Sequence, residues 1–527
     1  MIQGLFSEKE KYIEESKLED QLLDFCRAHS SLYLYGAGAY GNALCEYLEL
    51  NGILISGFLL SEPDEIEHNH YPVYRFEDHI LKLNECDGVI LSLKEDYQSE
   101  IIEKYDPVLK AHRIDAFLFP GALFRMMRMM KGKKLYDLIK KVREWETTYP
   151  ASGRDHIEDC DRIAVIQLED AIGDTIWGSA FLRELRRNHP HTWITYVANE
   201  AMKGLLQECP YVDRIVYYPY VCEPFSTYDA LEKRVKQFYD ESIHESFDVV
   251  FLLKALPIHT LDQIENVLLA LYSGASVRFA HAFYVFEGEK YYYQLWSKLF
   301  PVTAINDRAE HDVLKDLSLI SLSGGDIADT KMELWLSEQD IKEAKAHLEN
   351  LRKGETKLVA LGLAGREPRR NWPGGNYLEF ADALFERYGE RITFVLFGAS
   401  NAREAADIVL RTKATVIDLV GKTSLEVSAA AIGFCDLYVG ADTSLLHMAS
   451  ANNIPIVELT ANLKDGRDID QGSVVRTGPW HVSNRVIYPK WALDGCTHRC
   501  IKEFTHCITQ IRTDEVVEAA VNLLERE

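Results

Sequence analysis

Asp436-Leu-Tyr-Val-Gly-Ala-Asp-Thr-Ser-Leu-Leu-His-Met-Ala449 reads as a short apolar strand that breaks at Gly440 and resumes as a helix. Asp442, Thr443 and Ser444 fall in the strand-to-helix turn. There, side chains and the first free helical amides can hold a diphosphate or sugar hydroxyls. His447, one turn on, projects over the same end of the helix. The plainer reading is a capping Asp or Thr beside a core-edge histidine. Outward from this stretch, apolar runs at 357–363, 392–397, 415–418 and 454–459 alternate with helical stretches, the pattern of a parallel α/β domain running to the C-terminus.

The first of those strands leads into Ala364-Gly-Arg-Glu-Pro-Arg-Arg-Asn-Trp-Pro-Gly-Gly375. Arg366, Arg369 and Arg370 therefore sit in a glycine-punctuated loop just before a helix. Guanidinium groups beside a free helix N-terminus suit a phosphate, and a solvated basic loop is the alternative. Further upstream the same unit opens a second α/β domain. Arg162-Ile-Ala-Val-Ile-Gln-Leu168 is followed by Glu169-Asp-Ala-Ile-Gly-Asp174 and a helix from Thr175 to Arg187. Gly173 is expected to permit a sharp turn, and Asp174 to lie at the helix N-terminus beyond the carboxyl end of a first strand, where open α/β sheets present chemistry. An Asp there is also a favoured N-cap. Later strands fall near 193–197, 214–217 and 248–253.

The N-terminal third repeats the theme. After a helical opening at 7–28, Ser31-Leu-Tyr-Leu-Tyr35 breaks at Gly36-Ala-Gly-Ala-Tyr-Gly41 and continues as an amphipathic helix, with strands at 53–60 and 88–93. Gly36, Gly38 and Gly41, with Glu62 at the end of the next strand, match the dinucleotide fingerprint spacing. They are a candidate nucleotide site of NAD type. A docking or acceptor-recognition module is the preferred reading. A helical run at 123–146, basic between Arg125 and Lys141, links this domain to the rest. The expected domains are thus 1–122, a linker at 123–158, and 159–330 and 331–527.

At about 150 residues per domain, 527 residues suggest roughly three or four domains. The 58 Lys+Arg against 82 Asp+Glu give a net charge of −24, which repels nucleic acid and anionic lipid, so no nucleic acid partner is expected. No apolar run approaches the roughly 18 residues of a membrane span, and the charged start lacks a signal core. The expected location is the cytoplasm. Ten Cys are scattered along the chain, as reduced buried thiols would be. Only Cys496, Cys500 and Cys507 cluster, with His498 and His506 interleaved. As metal ligands they need a fourth partner and lack the paired C-x₂-C of common zinc sites. The alternative is thiols packed near the last helix.

From about residue 160 to 527 the chain resembles glycosyltransferase family 9, the heptosyltransferases of lipopolysaccharide core assembly. The resemblance rests on Val165–Asp174 with Leu182-Arg-Glu-Leu-Arg-Arg187, on Pro210-Tyr-Val-Asp-Arg-Ile-Val216, and on Arg-Arg-Asn-Trp-Pro373. It continues through Phe397-Gly-Ala399, Asp418-Leu-Val-Gly-Lys-Thr-Ser-Leu425 and Asp436–His447. It implies a GT-B fold, two facing Rossmann-like domains, here preceded by an additional small Rossmann-like α/β domain. It implies an inverting transfer from a nucleotide-diphospho-sugar that requires no metal or other cofactor. The acceptor would be a lipid-linked or other glycan, met with at most peripheral contact at the inner face of the membrane.

Asp174 matches the family's base, Arg370 a basic residue on the donor phosphate, and Asp442, Thr443, Ser444 and His447 the donor-binding turn. Ser444 stands where the family usually has Gly, and extra Arg, including Arg366, replaces Thr or Ser in the preceding loop. Both departures bear on donor identity. The rival reading is a non-catalytic sugar-nucleotide-binding or scaffold protein acting through its N-terminal domain. A dehydrogenase ranks below it, since no paired catalytic residues flank the Gly36 turn.

Overall fold

The computed structural model describes residues 21–50, 53–63, 66–93, 95–120, 141–153, 157, 160–168, 171–220, 228–253, 264–283, 296–306, 310–348, 356–466, 468, 472–497 and 499–525. The chain divides into two units, one made of Met1–Glu144, Pro224–Leu231 and His259–Asp262, the other of Trp145–Glu223, Glu232–Ile258 and Gln263–Glu527.

In the first unit β1 (Ser31–Tyr35), β2 (Gly57–Leu60), β3 (Glu67–His68), β4 (Tyr71–Arg75), β5 (Asp87–Leu91) and β6 (Asp115–Leu118) form one sheet in the order β3-β4-β2-β1-β5-β6. Only the two-residue β3–β4 ladder is antiparallel. The parallel strands run third, second, first, fourth, fifth, the order of a dinucleotide-binding sheet. Gly36 takes φ +107 directly after β1, a conformation few L residues adopt. A Cβ on Gly41 would lie 1.9 Å from the Gly36 carbonyl oxygen, so helix Ala39–Leu50 can leave the strand this tightly only with glycine there. Of the helical opening expected at 7–28, residues 21–28 are helical. Residues 7–20 lie outside the described residues, as does the basic linking stretch 121–140.

The second unit holds two sheets of six parallel strands each. β7 (Arg162–Gln167), β8 (Trp193–Asn199), β9 (Arg214–Tyr218), β10 (Val249–Leu252), β11 (Val277–Phe283) and β12 (Val302–Asn306) lie in the order β12-β11-β10-β7-β8-β9. β13 (Lys357–Gly362), β14 (Ile392–Phe397), β15 (Thr415–Asp418), β16 (Leu437–Gly440), β17 (Ile456–Leu459) and β18 (Asn484–Ile487) lie in the order β15-β14-β13-β16-β17-β18. Counted from its own first strand, each sheet has the same doubly wound order. Each reverses direction between its first and fourth strands, β7/β10 and β13/β16. At such a reversal the connections leave toward opposite faces and a crevice opens beyond the strand ends.

Strands β10, β14 and β16 are buried along their whole length, as a parallel sheet covered on both faces requires. Trp372 is 1% exposed, packs edge-on to Tyr377 and donates from Nε1 to the Ile511 carbonyl at 3.2 Å. This anchor, together with the 2.9 Å bond from Gly365 N to Asn371 Oδ1, closes the arginine loop over the end of β13. No described helix is long and apolar enough to cross a membrane.

Candidate functional site

The β13/β16 reversal joins the two polar loops singled out from the sequence. Both strands end in glycine, and Cβ atoms on Gly362 and Gly440 would come within 2.1 and 2.5 Å of the Tyr438 hydroxyl. Beyond them Arg370 donates from Nη1 to Asp442 Oδ2 at 2.7 Å and to the Asp442 carbonyl at 3.0 Å. Thr477 Oγ1 donates to the same carboxylate at 2.9 Å, and His447 Nε2 lies 3.5 Å from its other oxygen. Burial alone would raise the Asp442 pKa, but the His447 hydrogen bond and the Arg370 and Thr477 contacts hold it below the usual carboxylate range. Asp442 is therefore not a cap. The N-cap of helix Ser444–Ala451 is Thr443, whose side chain makes no capping bond; its methyl lies 2.7 Å from where a Gly365 Cβ would be.

Around this pair lies a depression of about 320 Å³, counted to its solvent-facing mouth, lined by Arg369, Arg370, Arg499, Asp442, Thr460 and Asn462 among others. Glu367 holds Arg369 at 2.8 Å and Arg370 at 2.6 Å. Arg499 has no ion-pair partner among the described residues. Arg366 is exposed and does not line this pocket. Glu458, on β17 beside Gly440, is fully buried, with neither oxygen hydrogen-bonded among the described residues. Burial first, then the Asp442 charge, pushes its pKa well above the ordinary value. Sequence periodicity reads Glu458 as one more strand residue, and only the register across to Gly440 reveals where it sits.

Asp174 belongs to helix Ile172–Asn188, whose N-cap is Ala171; it occupies the first turn and is not the cap. Gln167 fixes this start by donating from Nε2 to the Asp174 carbonyl at 3.1 Å. Gly173 lies within the helix and serves close approach instead of a sharp turn: its Cβ would meet His447 Cδ2 at 2.8 Å. One turn on, Trp177 Nε1 donates to His447 Nδ1 at 3.3 Å. With Nδ1 accepting, the neutral ring carries its proton on Nε2, toward Asp442. His447 thus ties the helix bearing Asp174 to the Asp442–Arg370 pair.

Three further groups in this unit have no sequence signal. His311 caps helix Asp312–Leu322, stacks on Trp480 at 4.3 Å and lies 3.0 Å through Nε2 from the Gly478 carbonyl. Burial lowers its pKa to about 4. Asp312 pairs with Arg476 at 2.9 Å and with Lys315. Asp316 lies 3.2 Å from His281 Nε2; burial pushes its pKa up to about 6 against that bond, and the Asp174 charge adds to the rise. Asp174 therefore lies within electrostatic reach of Asp316.

In the first unit Ser92 Oγ donates to the carbonyls of Tyr35 and Gly36 at 3.0 and 3.1 Å, at the β1/β5 reversal. Leu93 Cδ2 lies 2.6 Å from where a Gly36 Cβ would be, no atom of the described residues lies within 4 Å of where a Gly38 Cβ would be, and Glu62 is exposed past the end of β2. His498 lies outside the described residues.

Residues 277–487 match the model of glycosyltransferase family 9 (heptosyltransferase). The chain is 23% identical over 297 residues to lipopolysaccharide core heptosyltransferase OpsX of Haemophilus influenzae, covering 55% of this chain and 76% of that protein. It is 33% identical over 97 residues to lipopolysaccharide heptosyltransferase 2 of Escherichia coli, a match spanning 18% of this chain and 27% of that protein. Among solved structures, a glycosyl transferase family 9 protein from Veillonella parvula aligns with a TM-score of 0.54 at 20% identity, covering 70% of this chain and 99% of that one. The E. coli ADP-heptose lps heptosyltransferase II aligns with a TM-score of 0.50 at 19% identity, covering 69% and 98%.

Fold and matches together give the second unit the GT-B fold, with an added α/β domain at the N-terminus. Within that fold the second unit is similar to family 9, the heptosyltransferases.

Proposed function

We propose that the protein is an inverting glycosyltransferase that moves a sugar, with heptose the leading candidate, from a nucleotide-diphospho-sugar to a hydroxyl of a bacterial surface glycan such as lipopolysaccharide. The carrying observation is the arginine-lined pocket at the β13/β16 reversal, tied through Asp442 and His447 to the helix that bears Asp174. Residues 331–527 are the donor side and 159–330 the acceptor side of this reading. The heptosyltransferase relatives support its sugar and acceptor class.

In this mechanism Asp174 takes the proton of the acceptor hydroxyl as the new C–O bond forms and the anomeric carbon–phosphate oxygen bond breaks. Charge developing on the leaving diphosphate is met by Arg370, by Arg499 and by the first amides of helix Ser444–Ala451. No divalent cation is needed on the phosphates. A scaffold that only senses sugar-nucleotides would have no use for an acidic residue in the first turn of the helix that meets His447, so the transferase reading is preferred.

The test is a thermal-shift panel of ADP-, UDP-, GDP- and CDP-sugars, followed by transfer with the stabilising donor. A donor at 100 times its dissociation constant adds about 2.7 kcal/mol to the native state. A panel that shifts nothing, with no sugar transferred, refutes the reading.

A further inference from the structure

Near the C-terminus the chain between β18 and helix Thr513–Leu524 is almost without regular structure, apart from the short 3-10 turn Cys507–Gln510. Such a segment has few ladder bonds to hold it. Yet it keeps Cys500 and Cys507 at 2% and 1% exposure while leaving Ile501 and Phe504 at 43% and 58%. Cys500 and Cys507 share the core with Ile508 and Ile511, and Cys496 packs against it, yet apolar packing does not by itself bring three sulfurs to one ring nitrogen.

The gathering is specific. Cys496, Cys500, His506 and Cys507 each offer one donor atom, and all four atoms lie within 4.8 Å of one another. His506 Nδ1 lies 3.6 Å from Cys496 Sγ, 3.9 Å from Cys500 Sγ and 3.4 Å from Cys507 Sγ. One ring nitrogen can engage in one hydrogen bond, so hydrogen bonding accounts for a single one of these contacts. A tetrahedral zinc with Zn–S ≈ 2.3 Å and Zn–N ≈ 2.0–2.1 Å requires S···N edges of about 3.5–3.6 Å. The three observed edges bracket that value. Disulfide chemistry would pair two sulfurs and strand the third, and all three cysteines are free. The fourth ligand that the sequence spacing left open is His506, next to Cys507 in the chain.

We infer that Cys496, Cys500, Cys507 and His506 form a structural zinc site, which joins residues 496 and 507 and fixes the segment between them. Three thiolates and an imidazole are soft donors that select zinc over magnesium or calcium, and four protein ligands close the shell. The consequence reaches the pocket. Arg499 and Cys500 both line it, the Cys500 carbonyl accepts from Arg369 Nη1 at 3.3 Å, and Thr505 Oγ1 donates to the Pro368 carbonyl at 3.1 Å. The zinc therefore holds Arg499 and the arginine loop in register while staying off the phosphates. This site stands whether or not the donor reading is right.

Elemental analysis of the full-length protein, after dialysis against a chelating resin, should find about one zinc per chain, as one closed four-ligand site holds one ion. A mercurial that titrates thiols should release that zinc in step with thiols consumed. Cys496→Ser with Cys507→Ser should bring zinc to background, and His506→Cys should retain it. Because the double variant is open to misfolding, wild-type protein refolded with cobalt provides the second readout: intense visible bands of tetrahedral thiolate-bound cobalt. Zinc at background in the wild type, iron in its place, zinc undiminished in the double variant, or octahedral cobalt bands would each overturn the assignment.

Discussion

The β1/β5 and β13/β16 reversals have the same strand order and both end their first strand near glycine, yet their chemistry differs. At β1/β5 the Ser92 hydroxyl occupies the carbonyls of Tyr35 and Gly36, and Leu93 lies against the turn. At β13/β16 the strand ends open onto Arg369, Arg370 and Arg499 around a buried Asp442. Topology creates a crevice in both. The side chains that leave the strands decide whether a polyanion finds partners there. This is why the glycine fingerprint alone carries little functional weight, and why the arginine loop and the Asp442 turn together carry much more.

The sharpest test of the β13/β16 reading lies in its partner group. Asp174→Asn should keep donor-induced stabilisation and lower turnover by about 10²–10⁴-fold, the contribution of a positioned base. Single-turnover transfer checks this, and an unchanged rate removes Asp174 as the base. Next in size is Arg370→Ala, which leaves the Asp442 carboxylate buried beside a lost guanidinium. Breaking a buried pair from one side costs about 3–5 kcal/mol. Urea unfolding should record that loss, and Arg370→Lys should restore part of it.

How much of this was legible beforehand follows from the range of the interactions. The strand–turn–helix units, the arginine loop and the Asp442 turn are local, so periodicity and glycine placement exposed them. Strands β11, β12 and β18 escape the periodicity because polar residues interrupt their apolar runs: Arg278 and His281 in β11, Thr303 in β12 and Arg485 in β18. Gly173 was misread because a sequence shows a glycine's freedom but not the His447 ring packed against it. The Asp312–Arg476 pair spans 164 residues, and no spacing rule reaches that far. The same holds for His311 against Gly478 and for Asp316 against His281.

Those long-range groups give the third prediction. Asp316, raised to about 6 by burial, holds its proton more tightly folded than unfolded. Its contribution to stability is complete below about pH 4 and lost as pH rises through about 6. His311, lowered to about 4, runs the other way: its contribution is present above about pH 6.5 and lost as pH falls through 4. The two oppose each other across one window. Asp316→Asn removes the first, so the variant should gain up to about 3 kcal/mol relative to the parent between pH 4 and 6.5. Urea unfolding at both pH values checks it, and a difference independent of pH contradicts it.

Smaller still is the effect of Arg499→Ala. Arg499 lines the pocket without an ion pair among the described residues, so its removal strands no partner. Donor affinity should fall about tenfold, one charge-assisted hydrogen bond, with urea stability unchanged.

The smallest expected effect is at β1/β5, where the full-length protein titrated with NADH should show no saturable fluorescence change. A dinucleotide held there would need its pyrophosphate on the first amides of helix Ala39–Leu50 and its ribose on an acidic group. The approach to Gly38, open among the described residues, and the exposed Glu62 satisfy part of that demand. No arginine comparable to those around Asp442 is bound to the turn among the described residues, and Ser92 already holds the strand-end carbonyls. A saturable response weakened by Glu62→Ala would show that the two crevices differ in the ligand they select and not in whether they bind one.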